Sequence, residues 1–244
     1  MIASYAHNYI FIKTGKVAGT SVEMALSRFC GPRDIITPIY PPDEIERKPP
    51  ARHAQNFSTD PALERHHADL ADKGDRTELW KVLHELKGVS IYTNHMAARE
   101  IREKVGEQFW RNAFKFTIER HPYERVISTA LWLIYDYSGT VDVSSAIVNR
   151  AINASIDMLT PGTQYKIDGQ IAVDRILRYE NLVEDLASVA DRVGGDVSLD
   201  LPRAKSGIRR PHHTVANLLS PEQKRRIAER HAATFERLGY STDL

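Results

Sequence analysis

A chain of 244 residues that sets 33 Lys and Arg against 32 Asp and Glu has a formal net charge of +1, so no global field draws it to nucleic acid and an anionic partner must be met by a local cluster of cations. With 42% hydrophobic and 27% charged residues, the composition excludes a disordered or membrane-embedded chain. The single cysteine, Cys30, excludes an intramolecular disulfide and a multi-cysteine zinc site, which suits a reducing, cytoplasmic setting.

The length fits one domain spanning 1–244. The start lacks a basic region, and the apolar run Ile10 to Ile12 is too short for a signal peptide or an anchor, so no stable membrane insertion is expected. Asn8 to Lys13, rich in Ile, Phe and Tyr, predicts a buried strand entering a glycine loop. Val22, Ala25, Leu26 and Phe29 keep helical spacing up to Gly31-Pro32. From about 41 to 81 the apolar periodicity fades among prolines, histidines and alternating charges, which reads as a variable excursion from the core.

A short strand is expected at Val89 to Tyr92 and a helix from near Met96. Phe114 to Arg120 alternates apolar and polar residues as a strand does, ending at His121-Pro122. Val126, Ile127, Ala130, Leu131 and Ile134 mark a long helix, with a second helical stretch near Val143 to Ala154. "IAVDRILRY" reads as a strand, and Leu182, Leu186, Val189 and Val193 recur at helical spacing before Gly194-Gly195. Ser220-Pro221-Glu222-Gln223 is a capping-box start for a terminal helix. Strands alternating with helices predict an α/β fold with a central, mostly parallel sheet flanked by helices in three layers.

The chemistry concentrates in the loop Gly15-Lys16-Val17-Ala18-Gly19-Thr20-Ser21. A glycine turn between strand and helix gathers backbone N–H groups, and the helix dipole adds partial positive charge. Thr20 and Ser21 add hydroxyls and Lys16 a full charge, which together make a phosphate cradle. The nucleotide P-loop ends in Gly-Lys-Ser/Thr so that lysine reaches the β and γ phosphates. Here the end is Gly19-Thr20-Ser21, and the ATP arrangement is not reproduced.

Together with "ERHPYERVISTA", which holds Arg120, Arg125 and Ser128, this loop resembles the two nucleotide signatures of the PAPS-dependent sulfotransferases, above all their carbohydrate and Golgi-type branch. Phe11, Ile12, Lys16, Ala18, Gly19, Thr20 and Ser21 match the first signature in register, and "TNHMAAREI", "ILRYENLVEDL" and "FERLGY" extend the similarity over most of the chain outside 41–81. The resemblance implies a P-loop-like fold and transfer of the sulfuryl group from PAPS to a hydroxyl, or less readily an amine, of a carbohydrate or other small acceptor. It places Lys16 as catalytic lysine, the loop Lys16 to Ser21 on the 5'-phosphosulfate, and Arg120 with Ser128 on the 3'-phosphate. Gly15 stands where the family has proline and Val17 where it has threonine, departures that bear on donor affinity rather than donor identity. A P-loop kinase using ATP and magnesium, or a nucleotide-binding protein without turnover, are the alternatives.

Sulfuryl transfer needs an in-line acceptor oxygen and a cation where charge builds on the departing phosphate, and it needs no metal clamp. Asp174 is the nearest metal-binding carboxylate and reads as structural. His95, expected at a strand's C-terminal edge, is the first choice for the base that takes the acceptor proton, against Glu23, His212 and His213. Arg203, Lys205, Arg209 and Arg210 form a basic stretch that either holds the 3'-phosphate or is solvated. The doublet His66-His67 reads as solvated surface, the tryptophans Trp80, Trp110 and Trp132 as packing, and Tyr179 with Glu180 as a brace for the last strand.

Overall fold

The computed structural model describes residues 1–193, 201 and 208–244. In chain order the strands and helices are β1 (Ile2–Ser4), β2 (Tyr9–Phe11), α1 (Gly19–Leu26), β3 (Ile35–Ile36), α2 (Pro41–Glu46), α3 (Pro61–Lys73), α4 (Arg76–Leu86), α5 (Ala98–Val105), α6 (Glu107–Asn112) and β4 (Phe114–Glu119). There follow α7 (Pro122–Ser138), α8 (Ser145–Met158), β5 (Lys166–Ile167), β6 (Gln170–Ile171), β7 (Arg175–Arg178), α9 (Leu182–Val193), α10 (Val215–Leu218), α11 (Pro221–Arg230) and α12 (Ala232–Leu238). They form two compact units, the first comprising Met1–Ile118, Gln164–Leu177 and Asn181–Ala204 and the second Glu119–Thr163, Arg178–Glu180 and Lys205–Leu244. The architecture is mixed α/β.

A five-stranded sheet runs in the order β3-β1-β2-β4-β7. β2 pairs parallel with β4, Tyr9 opposite Phe114, whereas β1 is antiparallel to both β2 and β3. Strands β2, β3 and β4 thus share one direction with β1 reversed among them, and the described pairings are not the mostly parallel set expected. The cause is a local hairpin. Asp34, fully buried, accepts from the backbone N–H of Tyr5 (2.7 Å), Ala6 (3.0 Å) and Gly31 (2.8 Å) and from the Ser4 hydroxyl (2.7 Å). This one carboxylate satisfies the turn that folds β1 back on β2.

Period-2 alternation divides the sheet's side chains. Tyr9 and Phe11 meet Phe116 on one face, the Phe11 and Phe116 rings stacked at 5.1 Å. Ile10 and Ile12 join Met1 and Ala3 in a core cluster with Phe57, Leu70, Leu79, Val82, Leu86, Met96, Ile101 and Trp110. Ala54, Phe57, Leu70, Ala71 and Leu79 all belong to that cluster, so residues 41–81 are not an excursion from the core but part of it. Their apolar stripe is interrupted in sequence because two of its positions are Glu64 and His67, both buried. Glu64 is tolerated inside because its carboxylate accepts three backbone N–H groups, from Asn56, Phe57 and Ser58 at 2.6–2.8 Å. His67, expected on the surface, has 0% exposure.

In the second unit α7 and α8 pack through Tyr123, Val126, Ile127, Ala130, Leu131, Ile152 and Ile156, joined by Val215, Ile227 and Phe235. The capping box at Ser220 and Gln223 forms as expected. The expected strand at Val89 to Tyr92 does not form. Ser90 makes a single bridge to Ser58, and the apolar residues there pack as a turn against the first core. The Gly194-Gly195 stop lies outside the described residues.

Candidate anion-binding sites

The loop after β2 takes an unusual backbone path. Lys16 has φ +65° and Ala18 φ +61°, the left-handed region that costs a non-glycine residue about 1 kcal/mol or more. Val17 between them is fully buried and pins the loop, leaving Lys16 and Ala18 half-buried on either side of it. Ala18 caps α1 without a side-chain hydrogen bond, so the first-turn N–H groups of Gly19, Thr20 and Ser21 lack intrahelical acceptors and gather at the positive end of the dipole. A left-handed residue followed by a helical one, as Ala18 is by Gly19, turns successive N–H groups toward a concavity suited to an anion. Thr20 is half-buried here and Ser21 buried.

Beneath this loop lies a lysine that the sequence pattern did not single out. Lys13 is 3% exposed, its ammonium paired with the buried Glu23 carboxylate and donating to the Thr20 hydroxyl at 3.3 Å. Its stem fills the space a side chain on Gly19 would need: a Cβ there would meet Lys13 Cγ at 2.7 Å. Because an ammonium only donates, Thr20 Oγ1 accepts from Lys13 and is left to aim its own proton elsewhere. Glu23 also takes the Met1 ammonium, which donates to Thr37 Oγ1 at 2.5 Å as well. Burial alone would raise the Glu23 pKa, but the Lys13 and N-terminal charges outweigh it and hold the group at about 2. Fully buried and doubly paired, Glu23 is a structural counter-ion and not the base considered from sequence.

His95 sits on the turn before α5, not at a strand's edge, yet it is brought to the loop. Its Nδ1 lies 3.2 Å from the Lys13 carbonyl. A carbonyl only accepts, so Nδ1 carries the proton and Nε2 presents a lone pair. Crowding of the ring and then the Lys13 charge push its pKa down to about 4, although the residue keeps an exposed face. It is therefore neutral at pH 7.

The other candidates belong to the second unit. Arg120 stacks 4.2 Å over the Tyr179 ring and gives Nη2 to Glu124 Oε2 at 3.1 Å. Arg209 meets the same carboxylate in a fork, Nη1 on Oε2 and Nη2 on Oε1, while its Nε donates to the His213 carbonyl at 2.8 Å. Two of the arginines suggested for the 3'-phosphate thus share one carboxylate. Arg210 pairs instead with Asp142. Ser128 is half-buried one helical turn beyond Glu124 on α7. His213 is buried, and its Nδ1 accepts the Arg210 backbone N–H at 3.1 Å, so its other nitrogen carries the proton and cannot act as base. His212 is exposed. Arg203 and Lys205 lie outside the described residues.

Asp174 accepts the Lys115 backbone N–H at 2.7 Å and pairs with its ammonium, a structural role. Glu180 ties the His121 N–H and the Tyr240 hydroxyl, while Tyr179 serves as the platform for Arg120. Trp110 is buried, whereas Trp80 is 42% exposed and meets Tyr40 edge-on.

No family model matches the chain, and no solved structure matches it significantly. A protein of Archaeoglobus fulgidus described as uncharacterized is 32% identical over 111 residues, which make up 43% of this chain and 88% of that relative. With that identity sustained over most of the relative's length, the chain belongs to the same family as the Archaeoglobus fulgidus protein.

Proposed function

We propose that the protein is a sulfotransferase that moves the sulfuryl group of PAPS to a hydroxyl of a carbohydrate or other small acceptor. The observation that carries this reading is the strained loop at the start of α1, where Lys16 and Ala18 hold the left-handed conformation around a buried Val17. Strain of this kind persists where surrounding structure imposes it, and it clusters at ligand clamps. In the proposed reaction the acceptor oxygen attacks sulfur as the bond from sulfur to the phosphate oxygen breaks. Lys16 and the loop N–H groups stabilise the charge that develops on the leaving 5'-phosphate. The acceptor proton passes to His95 Nε2. That imidazole is a weak base beside Lys13 alone, and an anion in the loop would offset the Lys13 charge and raise its basicity. Arg120 and Ser128 enter the proposal on the 3'-phosphate through the resemblance alone.

The experiment is a pair of measurements. Thermal stabilisation by PAP without magnesium is expected, by roughly 3 kcal/mol at a hundredfold excess over Kd; stabilisation by ATP with magnesium but not by PAP would point to phosphoryl transfer instead. Lys16→Ala is expected to lower kcat by about a hundredfold or more with a much smaller change in PAP affinity, because its strongest contact forms as charge develops. Unchanged turnover would remove Lys16 from the chemistry. Binding of PAP with no transfer to any acceptor panel would leave a nucleotide-binding protein.

A further inference from the structure

The arginine cluster of the second unit is a balanced ion pair only in part. Glu124 contributes one negative charge and faces two guanidiniums, from Arg120 and Arg209. Both guanidiniums are held by groups other than Glu124. Arg120 lies on the face of Tyr179, and Arg209 is fixed through Nε to the His213 carbonyl, within a loop that the His213 ring ties to the Arg210 N–H. The fork would therefore keep its shape if the carboxylate left. Glu124 is the member with a path to water: it sits in the first turn of α7 on a long side chain that remains 23% exposed. Arg120 Nε is buried and has no acceptor among the described residues, so the cluster still holds an unused donor that a larger oxyanion could take.

We propose that Glu124 is a built-in, displaceable counter-ion that makes the Arg120–Arg209 fork selective for a phosphate monoester dianion. Two guanidiniums match the charge and the several oxygens of such a group, whereas a monoanion replacing the carboxylate gains no charge and loses the tether. Burial would raise the Glu124 pKa, and the Arg209 and Arg120 contacts lower it instead, so the carboxylate is charged and competing at neutral pH. The fork and its counter-ion stand on the geometry of this unit; identifying the ester as the 3'-phosphate of an adenosine bisphosphate rests on the sulfotransferase reading.

The test is Glu124→Gln, which keeps shape and removes the competing charge. PAP and inorganic phosphate are expected to bind about threefold to tenfold more tightly to the variant, while adenosine, which carries no phosphate, changes little. A structural role for Glu124 predicts the reverse, and unchanged or weaker binding of both phosphate probes overturns the proposal. An equal gain for adenosine would mark an effect that does not depend on phosphate and overturn it too. Tighter inorganic phosphate with no PAP binding by either protein would keep the counter-ion and discard the sulfotransferase reading. If Glu124→Gln does not fold, Glu124→Asp, which withdraws the carboxylate by one methylene, decides by the same comparison with a smaller gain expected.

Discussion

Beneath the glycine turn, a lysine and a glutamate with almost no exposure form an ion pair that also carries the N-terminal ammonium and the Thr20 hydroxyl. Removing one partner of such a pair leaves an uncompensated buried charge, which costs far more than the net worth of the pair. Glu23→Gln is therefore expected to destabilise the protein by about 3–5 kcal/mol in urea denaturation. Lys13→Met combined with Glu23→Leu should cost much less than the two single changes together. Near-additive losses would mean that the two side chains do not depend on one another. None of this was visible in the pattern Lys13-Thr14-Gly15, since a lysine at a strand's end ordinarily reads as a solvated flank. The pairing links positions ten residues apart, which only the turn between β2 and α1 brings together. Lys16, by contrast, lies inside the glycine motif itself, so its place in the loop depends on no partner distant in sequence.

At the scale of elements, α1 begins with a glycine that helix propensity alone would replace. Alanine at an exposed helical position gains about 1 kcal/mol over glycine. At Gly19, however, a Cβ would stand 2.7 Å from Lys13 Cγ and 3.0 Å from Cε, against a stem that Glu23 holds in place. Overpacking of this kind costs about 1–3 kcal/mol, so Gly19→Ala is expected to be net destabilising. In a Lys13→Ala background the clash is gone and the substitution should turn neutral or favourable, a coupling of about 1 kcal/mol or more in a double-mutant cycle. Zero coupling would show that the lysine stem is not what excludes a side chain. The elements that could be read from sequence are those with long periodic faces or strong caps: β4, α7, α9 and α11. Strands β1 and β3, of three and two residues, are too short to show a period, and Asp34 positions them through contacts distant in sequence. The face of α3 is interrupted by Glu64 and His67, whose burial depends on partners that no local window contains.

Across the whole molecule, buried titratable groups set the pH range of stability. His231 is 2% exposed and its pKa is pushed down to about 4, first by burial and then by Arg125 and Arg230. His67 and His121 are lowered chiefly by burial as well. An unfolded chain takes up protons on these imidazoles near pH 6.5, and the folded chain only at lower pH, so stability is lost as pH falls through that interval. His231 alone accounts for about 3 kcal/mol of this loss. Below pH 4.5 the depressed carboxylates of Glu23 and Glu44, both held at about 2, protonate first in the unfolded chain and act in the same direction. His53, raised by Glu44 and Asp72, opposes the other imidazoles, because its contribution is complete in acid and fades as pH rises. On the alkaline side burial lifts Cys30 to about 12 and raises Tyr9 and Tyr240, so deprotonation favours the unfolded chain once pH passes about 9. Thermal melts at fixed ionic strength should therefore give a maximum Tm at about pH 7–8.5, with the acid limb falling steeply between pH 6.5 and 4. His231→Phe, which keeps a buried ring without a titratable nitrogen, should flatten that limb. If its Tm followed the wild-type pH profile in parallel, the imidazole of His231 would not be the neutral buried group that its surroundings require.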